Sequence, residues 1–127
     1  MKKQIDHVET FHDAFGIKNN HNPVADLDKE VFVLRHRLMH EENEEYLEAC
    51  KNGDLVEIAD ALGDMMYILC GTILAHGLQD KMEDIFEEIQ RSNMSKLGAD
   101  GKPIYREDGK IMKGPDYFKP DIKTMVC

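Results

Sequence analysis

The stretch LDKEVFVLRHRLMHEENEEYLEACKNGDLVEIADALGDMMYILCGTILAH, residues 27–76, decides the fold. It reads as two helices joined at Asn52-Gly53, where glycine can take the left-handed backbone that ends a helix. The first helix is expected from about residue 26 to 51, with the apolar stripe Leu27, Val31, Leu34 and Leu38. At roughly 100° per residue, Glu42 and Glu45 fall within about 40° of Leu38 and continue that stripe, with Glu41 just to one side. Glu44 and Glu48 point elsewhere and read as surface charges. The second helix is expected from about 54 to 76 and shows the mirror order. Glu57, Asp60, Ala61, Asp64, Ile68, Gly71 and Ala75 share one stripe, acids first and small or apolar residues after. Its other stripe, Leu55, Ala59, Leu62, Met66, Leu69 and Ile73, is expected to supply core packing.

Closing this hairpin brings its acidic halves together near the turn and its apolar halves together away from it. Carboxylates facing one another in a partly desolvated site repel strongly. A divalent cation that prefers oxygen removes the conflict. Mg²⁺ is the natural choice, with Mn²⁺ as a substitute, because it takes carboxylates and waters and brings phosphate oxygens with it. Each acid has a plainer alternative. Asp54 and Glu57 have capping-box spacing at a helix start, Asp60 can be a surface residue, and residues 41–48 can be a solvated face. A di-iron bundle needs two Glu-x-x-His motifs on separate helices, whereas this chain has one such spacing, Glu9 to His12.

Working outward, a first helix is expected over about residues 2–15, with Ile5, Val8, Phe11 and Phe15 at helical spacing and Gly16 as its stop. Residues 17–25 read as a loop broken by Asn19-Asn20-His21-Asn22-Pro23. A fourth helix is expected over about 80–96, with Met82, Ile85, Phe86 and Ile89 on one face. Past Leu97, glycine, proline and basic residues dominate. Lys102-Pro103-Ile104-Tyr105 and Lys110-Ile111-Met112-Lys113 flank a turn at Asp108-Gly109, a short hairpin, and the remainder reads as extended tail. Short links between amphipathic helices imply an all-α antiparallel bundle of about four helices, a single domain over 1–127 with a helical body to about 97 and a basic tail over about 98–127.

Composition narrows the function. A chain of 127 residues fits one domain. Net charge is −9 and uneven: residues 93–127 hold seven Lys/Arg against five Asp/Glu, and residues 1–92 hold nine against twenty. An acidic body argues against a nucleic-acid surface. No apolar run approaches the roughly 20 residues that span a bilayer, so no membrane association is expected. No signal-peptide core follows Met1-Lys2-Lys3, which makes the cytoplasm the expected location. The three cysteines, Cys50, Cys70 and Cys127, form neither a CxxC pair nor a disulfide framework.

At Leu38-Met39-His40-Glu41-Glu42-Asn43-Glu44-Glu45 the sequence resembles the EExxE motif of the MazG-like nucleotide pyrophosphohydrolases. Glu57-Ile58-Ala59-Asp60-Ala61-Leu62-Gly63-Asp64-Met65-Met66-Tyr67 resembles their ExxD helix, and Ser92-Asn93-Met94-Ser95-Lys96-Leu97 through Gly114-Pro115-Asp116-Tyr117-Phe118 resembles the tail of one branch. The resemblance covers about residues 27–120. It implies an all-α enzyme that forms a homodimer or homotetramer, holds Mg²⁺ at its carboxylates and hydrolyses a nucleoside triphosphate between the α and β phosphates, so clearing unwanted nucleotides. It also implies that Glu42 and Glu45 are metal ligands and that Glu41 binds metal or orients the water. The ExxD match departs from the pattern: Ala61 stands where glutamate is usual, which favours Asp64 and Asp60 as ligands ahead of Glu57. Asn93 and Lys96 lie near the Ile89 stripe, and Lys96 suits a phosphate as a point charge. Lys110, Lys113 and Tyr117 are further candidate substrate contacts from the tail. Two alternatives remain, hydrolysis of phosphoribosyl-ATP on a related helical fold and a non-catalytic helical dimerisation module.

Overall fold

The hairpin at Asn52-Gly53 forms as the sequence requires, and α3, its second arm, becomes the helix on which α1 and α2 pack. The computed structural model describes all residues, 1–127. In chain order the elements are α1 (Lys2–Ala14), α2 (Lys29–Lys51), α3 (Leu55–Ala75), α4 (Met82–Met94), β1 (Ile104–Tyr105), β2 (Ile111–Met112) and α5 (Lys123–Val126). The class is all-α, with one two-stranded hairpin. The chain divides into two compact units, Met1–Asp80 and Lys81–Cys127.

In the first unit the turn is closed by Gly53 at φ 63°. Asp54 caps α3, its carboxylate accepting from the Glu57 N–H at 3.1 Å. Small residues let the two helices approach beside the turn: Ala49 of α2 and Ala61 of α3 are both buried. At the opposite end Cys70, Ile73, Leu74 and Ala75 of α3 are buried, as are Ile5, Val8 and His12 of α1. Phe11 and Phe15, placed on the inner stripe by their spacing, stack on each other at 4.4 Å instead, and Phe11 meets Tyr67 edge-on at 5.6 Å.

The loop after α1 is pinned to the end of α3. The Asn20 N–H donates to the Leu74 carbonyl at 2.9 Å and the Val24 N–H to the His76 carbonyl at 2.9 Å. Asn20 Nδ2 donates to the Ala75 carbonyl at 2.7 Å and Gln79 Nε2 to the Asn20 carbonyl at 2.8 Å. The bonds to Leu74, Ala75 and His76 engage carbonyls at the end of the helix, where intrahelical donors run out. Gly77, at φ 66°, lies so close to the Asn22 carbonyl that a Cβ would collide with it. Because the loop is held this way, α2 starts at Lys29, about three residues later than expected, after an extended Asp28.

Two expectations about α3 fail in the same place. Of its second stripe only Ile73 is buried; Leu55 is 76% exposed, and Leu62, Met66 and Leu69 are exposed too. The reason is geometric, since α1 and α2 cover its other faces. The helix also reaches membrane-crossing length and composition, with a mean hydropathy of 1.5 over its most apolar window. This corrects the expectation that no apolar run approaches that length: α3 is apolar on average although Glu57, Asp60 and Asp64 interrupt it. A soluble protein's core helix passes the same test, and acids within a lipid-facing span are costly.

In the second unit the hairpin is shorter than its sequence suggests, with Ile104 opposite Met112 and Tyr105 opposite Ile111. The segment expected as extended tail folds back on α4. Ser92 Oγ donates to the Phe118 carbonyl at 2.9 Å, and the Phe118 N–H donates to Ser95 Oγ at 3.2 Å. The Asp121 N–H donates to Glu88 Oε2 at 2.8 Å, while Arg91 donates twice to Glu88 Oε1 and lies 4.9 Å from the centre of the Phe118 ring. The chain then closes in the short helix α5.

The Asp121 N–H, then Arg91, holds the buried Glu88 carboxyl below its usual pKa. A depressed folded pKa means that Glu88 adds stability above the unfolded glutamate value and loses it as pH falls through the folded one. Thermal unfolding followed from neutral to acid pH should therefore show Glu88→Gln melting lower at neutrality and converging on wild type in acid. Parallel curves across the range would show that the clasp adds nothing.

Candidate active site

The α2–α3 seam places Glu42 and Glu45 against Asp60 and Asp64. Glu42 is half-buried, and its Oε2 is enclosed without any hydrogen-bond partner. Its carboxyl is pushed up to about 7, first by burial, then by the hydrogen bond and charge of Glu45, then by the charges of Asp64 and Asp60. Asp64 is raised as well, by burial and then by Asp60 and Glu45. Four acids expected to share a site thus act on one another as one electrostatic group.

They are not gathered as a finished cage, because no three His, Cys, Asp or Glu side chains stand close enough to hold an ion. The donor set nonetheless fits a hard cation: every donor is a carboxylate oxygen, and one of them is buried with nothing to bind.

Towards the turn the seam opens into a cavity of about 460 Å³ lined by Glu45, Glu48, Asp54, Glu57 and Asp60, among others. Glu57 belongs to this end. Asp54 caps its backbone, and its own carboxylate makes no hydrogen bond. Glu48, read from the sequence as a surface charge, lines the same cavity; its position, three residues past Glu45, was the available signal. Glu41 is exposed and 3.7 Å from Arg37, its i−4 neighbour, and it does not contribute to the shift of Glu42.

The tail candidates lie in the second unit. Asn93 is exposed on the last turn of α4, and its carbonyl accepts from the Lys96 N–H at 3.2 Å. Lys110 is exposed beside β2, its N–H bound to Asp108 Oδ1 at 3.1 Å. Lys113 and Tyr117 do come together, with the ammonium 4.6 Å from the ring centre.

Sequence reasoning also missed Arg35. Seven residues before Glu42, it donates from Nε to Thr72 Oγ1 at 3.1 Å and from Nη2 to the Ile68 carbonyl at 3.0 Å. It crosses the seam from α2 to α3 with no carboxylate paired to it.

Residues 8–93 match the sequence profile of the family described as phosphoribosyl-ATP pyrophosphohydrolase. That span exceeds half the chain and contains the whole acidic seam. The chain belongs to this family, within the MazG-like all-α superfamily. Its fold is similar to the crystal structure of a candidate NTP pyrophosphohydrolase from Exiguobacterium sp. 255-15. The TM-score is 0.51 at 25% identity, covering 94% of this chain and 90% of that one. No curated protein matches the chain. Family and structural likeness agree on nucleotide pyrophosphohydrolase chemistry in general.

Because the folded pKa of Glu42 is raised, ionising it costs stability: the cost develops as pH rises from the unfolded value of 4.5 to about 7 and is full above that. In metal-free buffer at pH 8, Glu42→Gln should raise the melting temperature and remove part of the wild-type decline across that window. A lower melting temperature at pH 8 would mean that the carboxylate is satisfied in a way the seam does not reveal.

Proposed function

We propose that this protein is a Mg²⁺-dependent pyrophosphohydrolase that cleaves a nucleoside triphosphate, or a close relative, between the α and β phosphates, giving the monophosphate and pyrophosphate. The observation that carries this reading is the buried, partnerless Glu42 Oε2 among Glu45, Asp60 and Asp64, in a chain whose family acts on a nucleotide pyrophosphate link. When bound there, the cation supplies charge neutralisation for the phosphate oxygens. Mn²⁺ serves as the substitute. Glu42, Glu45, Asp60 and Asp64 hold it, with Glu57 at the edge.

The chain's own groups supply the rest. Glu41 stays a candidate for orienting the attacking water from the exposed side. Asn93, Lys96, Lys110, Lys113 and Tyr117 are the proposed substrate contacts of the second unit. The uncovered apolar side of α3, Leu55, Leu62, Met66 and Leu69, is the proposed contact with a second copy of the chain, in a homodimer or homotetramer.

The family description favours a second reading, phosphoribosyl-ATP as substrate. Both readings break the same type of bond, so a panel of nucleoside triphosphates and phosphoribosyl-ATP with Mg²⁺ separates them by rate. Pyrophosphate must leave as one unit; primary release of orthophosphate and diphosphate would place the cut elsewhere. Binding of Mg²⁺ with no turnover of any substrate would support the non-catalytic module.

The acids of α3 should rank in a definite order. Asp64→Asn should abolish turnover and Asp60→Asn should impair it strongly, because Ala61 offers no other acid in that turn. Glu57→Gln should cost little. Steady-state rates at saturating Mg²⁺, with helical content checked by circular dichroism, test the order. A dead Glu57→Gln beside an active Asp64→Asn would make Glu57 and Asp60 the motif.

A further inference from the structure

The back of α2, turned away from the acidic seam, carries a second group of metal-binding side chains. His36 and His40 stand four residues apart on this helix, so they are separated by about 6 Å along its axis and about 40° around it. By the same arithmetic their positions lie about 120° and 160° around the helix from Glu42. Both are exposed, and neither ring makes a hydrogen bond, an ion pair or a ring contact. Glu44, one turn past His40, is exposed and without a partner too. The nearby cations are engaged elsewhere. Arg37 lies 3.7 Å from Glu41, and Arg35 crosses the seam to the Ile68 carbonyl and the Thr72 hydroxyl.

Histidines at i and i+4 are the spacing at which one helix face presents two imidazoles to a single zinc ion. Imidazole suits Zn²⁺, whereas Mg²⁺ prefers oxygen, so the histidine pair and the acidic seam favour different cations. Zn²⁺ takes four ligands in a tetrahedron. One chain offers only two at this place, because no three His, Cys, Asp or Glu side chains stand close enough to share an ion. A two-fold axis through the metal supplies the other two, since a second copy presents the same pair from its own α2. Val33 and Leu47 occupy the same wedge of the helix, about 60° wide, as the two histidines. They are 45% and 46% exposed, and a second α2 laid across this face covers them. Glu44 is placed to accept a hydrogen bond from the other ring nitrogen of His40, the contact that orients a metal-bound imidazole.

We propose that His36 and His40 are half of a Zn²⁺ site which the same two residues of a second copy complete, so that zinc joins two chains back to back through α2. This surface is separate from the bare side of α3. Chains already paired through α3 are therefore joined by zinc into pairs of pairs. The joint leaves the carboxylates of the seam uncovered, because the histidines stand on the far side of the helix from Glu42. It acts on assembly, and the reacting phosphates do not enter it.

The test titrates Zn²⁺ into the full chain at neutral pH, with Mg²⁺ in large excess to compete at the seam carboxylates. Mass is read by analytical ultracentrifugation, zinc by calorimetry, and the His36 and His40 ring signals by NMR. One zinc should bind per two chains, the mass should double, and both rings should shift. His36→Ala and His40→Ala change exposed positions and should keep the helical signal. Each should abolish the doubling and weaken zinc binding by at least about tenfold, the loss that even an outer partner of a metal ligand causes. Glu42→Gln should double in mass as wild type does. No doubling in wild type, doubling that survives in either histidine variant, or one zinc per chain at unchanged mass would overturn the proposal. Doubling lost in Glu42→Gln would place the zinc at the seam and overturn it as well.

Discussion

Repulsion among four carboxylates on one helical seam is the constraint around which the first unit is arranged. Glu42 and Glu45 on α2 and Asp60 and Asp64 on α3 are held within electrostatic reach of one another, and one oxygen is buried without a partner. Such a cluster persists only if packing elsewhere outweighs it. The small residues beside the turn and the buried run Cys70 to Ala75 with Ile5 and Val8 supply that packing. The fold thus pairs an acidic half, on α2 and α3, with a well-buried apolar half, on α3 and α1, and α3 is common to both.

Most of this was legible before any coordinates. The Asn52-Gly53 break, the helical spacing and the change from leucine to glutamate along one face determine both helices and the facing of their acids. What periodicity alone does not determine is which of several apolar faces a neighbour covers. Two stripes on α3 look equally inward by period, yet α1 and α2 cover other parts of the helix and leave Leu62, Met66 and Leu69 bare. The tail erred in the opposite direction. Its prolines and glycines read as extended chain, while the contact that folds it back comes from Glu88, a glutamate with nothing in its local sequence to mark it as buried.

The same distinction holds for the site. Carboxylates at helical spacing announce themselves because like charges on an inward stripe demand an explanation. Arg35 and His12 do not: an arginine two residues from Arg37 reads as a surface charge, and one of two histidines on α1 as a core filler. Their placement arises from pairing, Arg35 with Ile68 and Thr72 and His12 with Asn19, and from the missing side chain at Gly71, where a Cβ would meet both. The compositional border near Leu97 likewise lies inside the second unit, because α4 keeps company with the tail it binds.

The loop from Ile17 to Asp28 has the composition of a mobile connector, yet its backbone is tied to the last carbonyls of α3 through Asn20 and Val24. Its amide protons are therefore shielded from deuterium by the same bonds that finish the helix. Local opening of the loop and fraying of the α3 terminus become a single event with one free energy. The peptide N–H groups of Asn20 and Val24 are thus a built-in gauge: their exchange rates report how often the loop lifts from the end of α3.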